Sequence, residues 1–171
     1  MKYEFRVINL VDGSQEDCSL DDLSLIIGPN CVILRIKEDG FEAIGLVPVQ
    51  TVLFFDIEWA DYALQNYTKK ILPEAQTCID LARKKMKDQS SVSEEEIRIV
   101  TNLAYAATDA YAAAATYATY AAIDAAFATI DIGCAGSSAT KAQSAALAAG
   151  ISKLDERNRQ GTFILNFFEA E

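Results

Sequence analysis

No histidine occurs in the 171 residues, which removes the side chain most used for acid–base work near neutral pH and the commonest zinc ligand. The four cysteines, Cys18, Cys31, Cys78 and Cys134, are scattered, with no CxxC pair among them. No metal or cofactor is therefore expected, and free, mostly buried thiols in a reducing compartment are the simpler expectation. Prolines number three, so long helices meet few obligatory breaks. Long uninterrupted apolar runs are missing too. Asp109, Asp124 and Asp131 punctuate the most apolar stretch, and the 14 residues between the first two fall short of the roughly 20 a membrane span needs. Met1–Leu10 alternates charged and apolar residues, unlike a secretory leader. A cytoplasmic protein without membrane contact is expected.

What is present is acid and alanine. The formal net charge is −10, from 25 acidic and 15 basic side chains. That excess repels phosphate backbones and suits a basic protein partner, so no direct nucleic-acid binding is expected. In residues 1–55 the imbalance is 9 acids to 4 bases, which leaves mimicry of a nucleic-acid surface open.

The periodicity predicts an α+β fold: a small antiparallel N-terminal β-layer over residues 1–55, then an alanine-rich bundle of about four helices over 56–171. Tyr3, Phe5 and Val7 alternate with Glu4 and Arg6, the period of a half-buried strand. Asp12-Gly13 marks a turn, Ser19 is placed to cap a short helix into Leu23–Ile27, and Glu38-Asp39-Gly40 is the strongest hairpin signal. Thr51–Phe55 reads as a last strand or the lead-in to a helix. Trp59, Ala60, Ala63, Leu64, Tyr67 and Ile71 fall at steps of three and four, predicting a helix over 56–72. Pro73 opens a second, which ends in Arg83, Lys84, Lys85 and Lys87, expected as a solvated helix end. Ser93-Glu94-Glu95-Glu96 is a capping box opening a helical segment over 94–132, about 58 Å if unbroken. Such a length invites a bend in a domain of this size. A final helix over 138–160, with Gly150 a weak point, is expected to stop at Gly161, followed by an apolar tail over 162–168 that pairs with the sheet or packs across the helices.

Wound as one helix, the alanine segment has two unlike faces. Val100, Ala104, Ala107, Tyr111, Ala114, Ala118, Ala122 and Ala125 make a small-residue face, with the Ala142–Ala149 stretch its expected neighbour. The opposite face carries Tyr105, Asp109, Thr116, Tyr120, Asp124, Phe127 and Asp131. Tyrosine offers rigid contact area with a polar end, and aspartate complements Lys or Arg. Tyr105, Asp109, Thr116, Tyr120, Asp124 and Asp131 are the candidate partner-binding residues, a solvated helix edge being the plainer alternative. No catalytic residue is nominated, because no base or nucleophile accompanies these carboxylates. Gly133–Ser138 lacks the phosphate-loop pattern and reads as a helix–helix turn. Cys134, beside the following helix start, is a candidate for a lowered thiol pKa.

The helical part resembles the alanine-rich immunity proteins of bacterial toxin systems. The resemblance rests on Asp56–Leu64, Ala82-Arg83, the repeats Ala104–Ala107 and Thr119–Ala122, and Glu156–Gln160 with Phe163–Phe168, about residues 55–169 in all. It implies a non-enzymatic cytoplasmic protein that neutralises a toxin or nuclease by binding it. A phage-encoded inhibitor of a host defence system would read alike, and a self-associating scaffold is the alternative from a different class. A homo-oligomer stays open.

Overall fold

The computed structural model describes residues 3–70 and 72–170, the side chain of Ala110 aside. The expectations on Met1 and Ile71 lie outside the described residues. Strand β1 (Phe5–Asn9) turns through Asp12-Gly13 into β2 (Gln15–Cys18), and a single turn of helix, α1 (Leu23–Ile26), comes next. Ser19 does not cap α1 directly; its hydroxyl bonds Asp21 and Asp22, and Asp22 takes the cap position. Strands β3 (Cys31–Lys37) and β4 (Gly40–Val47) form the expected hairpin. The sheet is antiparallel with order β2-β1-β3-β4, and Ile44 is an extra residue between the pairs Ile33–Gly45 and Leu34–Ala43.

Phe5, Val7, Cys18, Cys31, Ile33 and Val47 turn one face of this sheet into the core. The register puts Ile8, Val32 and Leu46 in one row of the other face, with Leu34, Ala43, Ile36 and Phe41 beside them. Solvent reaches about half of Phe41 (53%) and Leu46 (54%), where an antiparallel sheet is ordinarily polar.

Helices make up most of the chain beyond the sheet: α2 (Val49–Tyr67), α3 (Pro73–Lys87), α4 (Glu94–Ala107), α5 (Ala113–Ala128), α6 (Ser137–Ala148) and α7 (Lys153–Glu169). Among the described residues the bundle thus has six helices rather than about four. The sheet ends at Val47 and α2 begins at Val49, so residue 55 lies inside a helix and Thr51–Phe55 is helical. Pro48 fixes the turn into it, with φ −68°. The capping box opens α4 as expected, with Ser93 Oγ accepting Glu96 N–H and the Glu96 carboxylate accepting Ser93 N–H.

Helix α5 runs through the middle, against α2, α3, α4 and α6. Ala118, Ala121, Ala122, Ala125 and Ala126 are buried on it, facing Ala139, Ala142, Ala145 and Ala146 of α6 within one core. Alanine keeps the helices close, and burial on nearly every side explains why α5 has no strongly polar face.

The last helix departs from expectation. Gly150, with φ +87°, separates α6 from α7, and Gly161 stands inside α7 instead of ending it. A Cβ at Gly161 would lie 2.2 Å from the Leu20 carbonyl oxygen, so glycine is what lets α7 lie against the chain entering α1. The apolar tail is the second half of that helix. Phe163, Phe167 and Phe168 pack on Phe55, with ring centroids 5.2–6.4 Å apart, and close the sheet against α2.

Buried polar groups tie these layers. Gln160 Oε1 accepts from Ser24 of α1 and from Gln143 of α6, both at 2.9 Å, while its amide donates to Glu156 at 3.0 Å. Of the basic end of α3, Lys84 and Lys87 are solvated as expected, but Arg83 and Lys85 hold the fold together. Arg83 bridges Glu58 and Asp61 of α2, and buried Lys85 donates to the carbonyls of Gln89 and Val92 at 2.9 and 2.8 Å.

Candidate functional site

Residues 94–132 form two helices, not one, although no proline intervenes. Thr108 donates its hydroxyl to the Tyr105 carbonyl at 2.7 Å, a local bond that competes with helix continuation. Tyr111 then adopts an extended backbone, and its hydroxyl donates to Glu74 of α3 at 3.1 Å. The break folds α5 back beside α4, so the two halves of the imagined face no longer share one helical phase.

Three of the candidate residues still meet. The rings of Tyr105 and Tyr120 lie 5.6 Å apart across the break, and Tyr117, which the continuous wheel did not select, stands 6.4 Å from Tyr120. Tyr105 (45%) and Tyr117 (38%) are exposed, and Tyr120 is half-buried. Asp124 comes one turn after Tyr120. Burial raises its carboxyl pKa, while the Ser137 hydroxyl and the Lys141 charge act the other way. The Lys141 ammonium stands 5.9 Å from the Tyr120 ring centroid. Burial and the charge of Asp124 likewise raise the Tyr105 phenol.

The other three do not join this cluster. Thr116 is half-buried and donates to backbone carbonyls of Ala112 and Thr108, which makes it a brace of the break. Asp109 is exposed in the 3-10 turn Thr108–Ala110. Asp131 accepts the Gly133 amide at 3.0 Å and caps the 3-10 turn Ile132–Cys134. Phe127 is half-buried against the core.

Behind the tyrosines, the glycine-containing segment is the helix–helix turn expected of it. Gly136 has φ +89°, a left-handed conformation that glycine adopts without strain, and α6 begins at the next residue. Ser137 donates to the Cys134 carbonyl and Ser138 to that of Ala121, so both hydroxyls serve the turn. Cys134 differs from expectation: burial and the charges of Asp131, Asp124 and Asp56 push its thiol pKa up, not down. Asp56, from α2, reaches this turn. It is fully buried, one carboxylate oxygen accepts the Gly136 amide at 2.8 Å, and the other has no hydrogen-bond partner. Burial, with a smaller contribution from Asp124, pushes its pKa up to about 7 against the pull of the Gly136 amide.

A concave region lies elsewhere, between α2 and α7, a cavity of about 600 Å³ with Trp59, Tyr62 and Phe163 among its walls. Its signal was in the sequence, since Glu58, Asp61 and Tyr62 share one helical face, but the other wall needs α7 to continue through Gly161. Arg159 lies 3.6 Å over the Tyr62 ring and pairs through two nitrogens with buried Glu156, which also accepts the Tyr67 hydroxyl. Among the described residues no group of three or more Cys, Asp or Glu is arranged to hold a metal ion, and no helix is long and apolar enough to cross a membrane.

Compared with known protein families, with curated proteins and with solved structures, the chain finds no match.

Proposed function

We propose that the protein is a non-enzymatic binding protein that inhibits a basic protein partner, as its resemblance to alanine-rich immunity proteins implies. The observation that carries this reading is the cluster of exposed Tyr105 and Tyr117 with half-buried Tyr120, beside Asp124. Tyrosines that already pack on one another lose little freedom on binding and rank among the residues that dominate interface energies. Lys141 offsets the charge of Asp124 beside Tyr120, so the outlying Asp109 and Asp131 and the −10 of the whole chain are what would speed the approach of a cationic surface. The partner class is a toxin or nuclease met in the cytoplasm. A phage-encoded inhibitor of host defence would use the same surface.

The test is a parallel capture from the native host with the wild-type chain and with Tyr105→Ala/Tyr120→Ala, retained proteins being identified by mass spectrometry. A basic protein held by the first and lost from the second is expected. A partner retained equally by both overturns the assignment of this face, and turnover of a substrate by the isolated chain overturns the non-enzymatic reading.

A second reading, self-association as a scaffold, is favoured by one observation, the apolar outer row of the sheet at Ile8, Val32 and Leu46. Light scattering separates the two, since only the scaffold requires a tight oligomer of the isolated chain.

A further inference from the structure

We propose that the cleft between α2 and α7 is a binding site for an organic cation, an alkylguanidinium or alkylammonium group on a short apolar stem. The cleft shares no residue with the tyrosine cluster, so the two sites stand or fall separately.

Size and shape allow it. About 600 Å³ falls in the middle of the range for small-molecule sites, and a side-chain-sized ligand fills only part of it. Three aromatic residues line it: Trp59, almost closed from solvent at 1% exposure, Tyr62, one face of which Arg159 already covers, and Phe163. Aromatic walls of this kind attract cations through the negative face of the ring and cover an apolar stem.

The charge balance selects the sign of the ligand. Glu58 and Asp61 both line the cleft, and both lean on one guanidinium, since Arg83 Nη2 sits 2.8 Å from an oxygen of each. Two carboxylates thus share one compensating charge. Arg159, the cation on the other wall, does not make up the difference, because Glu156 neutralises it through two hydrogen bonds of 2.8 and 2.7 Å. The cleft keeps one net negative charge in a chain that already carries −10, so an anion is repelled and a cation drawn in.

The geometry supplies an internal example of the recognition. The Arg159 guanidinium rests 3.6 Å from the centroid of the Tyr62 ring while a carboxylate holds its edge. A bound cation would repeat that arrangement, with its stem on the aromatic residues and its charge toward Glu58 and Asp61. Such a group can arrive as a free small molecule or as the Arg or Lys side chain of a protein.

Trp59 is the chain's single tryptophan and lines this cleft, so tryptophan fluorescence comes from one of its walls. Titration with n-butylguanidinium is expected to give a saturable change, weakened as salt is raised. The uncharged isostere n-butylurea is expected to give none. Glu58→Gln and Asp61→Asn, each checked for folding by circular dichroism, are expected to weaken the cation by about tenfold, while Tyr105→Ala/Tyr120→Ala leaves it unchanged. A blocked Ala-Arg-Ala peptide distinguishes the sources. Binding at least as tight as n-butylguanidinium assigns the cleft to a protein side chain, and weaker binding assigns it to a free cation. No saturable response to either probe, or an equal response to n-butylurea, overturns the proposal without touching the reading of the tyrosine face.

Discussion

The carboxylate of Asp56 in α2 accepts the backbone amide of Gly136, 80 residues further along, at 2.8 Å inside the core. That bond fixes the turn into α6 and thereby the backing of the tyrosine cluster. It does so with a group that water would hold ionised and that burial holds near pKa 7.

Stability should therefore depend on pH. In the unfolded chain Asp56 titrates near 3.8, and in the fold its pKa is raised to about 7. The fold thus favours the protonated form. The stability contributed by Asp56 is fully present below about pH 4 and is lost as the pH rises through 7, up to about 4 kcal/mol in all. Asp124, also raised, acts in the same direction. Urea unfolding of the wild type and of Asp56→Asn between pH 4 and 8 checks this. The variant should be less sensitive to pH and the more stable of the two at pH 8.

Gly161→Ala tests the packing of α7 against the segment before α1. In an exposed helix that change stabilises by about 1 kcal/mol. Here the added methyl meets the Leu20 carbonyl, so a loss of about 1–3 kcal/mol is expected by chemical denaturation.

Arg159→Ala leaves buried Glu156 with the Tyr67 hydroxyl and the Gln160 amide but without its cation. Breaking a buried pair from one side costs about 3–5 kcal/mol, somewhat less here because Arg159 is partly solvated. Thermal unfolding of Arg159→Ala beside Arg159→Ala/Glu156→Gln should show the double variant recovering part of the loss.

Much of the fold was legible because local signals agreed. The Glu38-Asp39-Gly40 hairpin, the Ser93–Glu96 capping box and Pro73 at a helix start rest on short-range rules and are found, whereas of the expected alanine face only the α5 part, Ala118, Ala122 and Ala125, packs toward α6. The failures share a tertiary cause. Gly161 looks like a stop and is instead a contact with Leu20; Lys85 looks solvated and is fastened by two carbonyls. The candidate site was half legible. Tyr105, Tyr120 and Asp124 come together through the packing of α4 on α5, whereas the wheel that selected Asp109, Thr116 and Asp131 assumed a helix that ends at Ala107. Tyr117 was missed for the same reason, since the break resets the phase.

Hydrogen–deuterium exchange of the chain with and without its captured partner tests the central claim most directly. Protection concentrated at Tyr105 and across Tyr117–Asp124, with the sheet unchanged, is the predicted result. Protection confined to β3 and β4, with that segment exchanging as in the free protein, would contradict it.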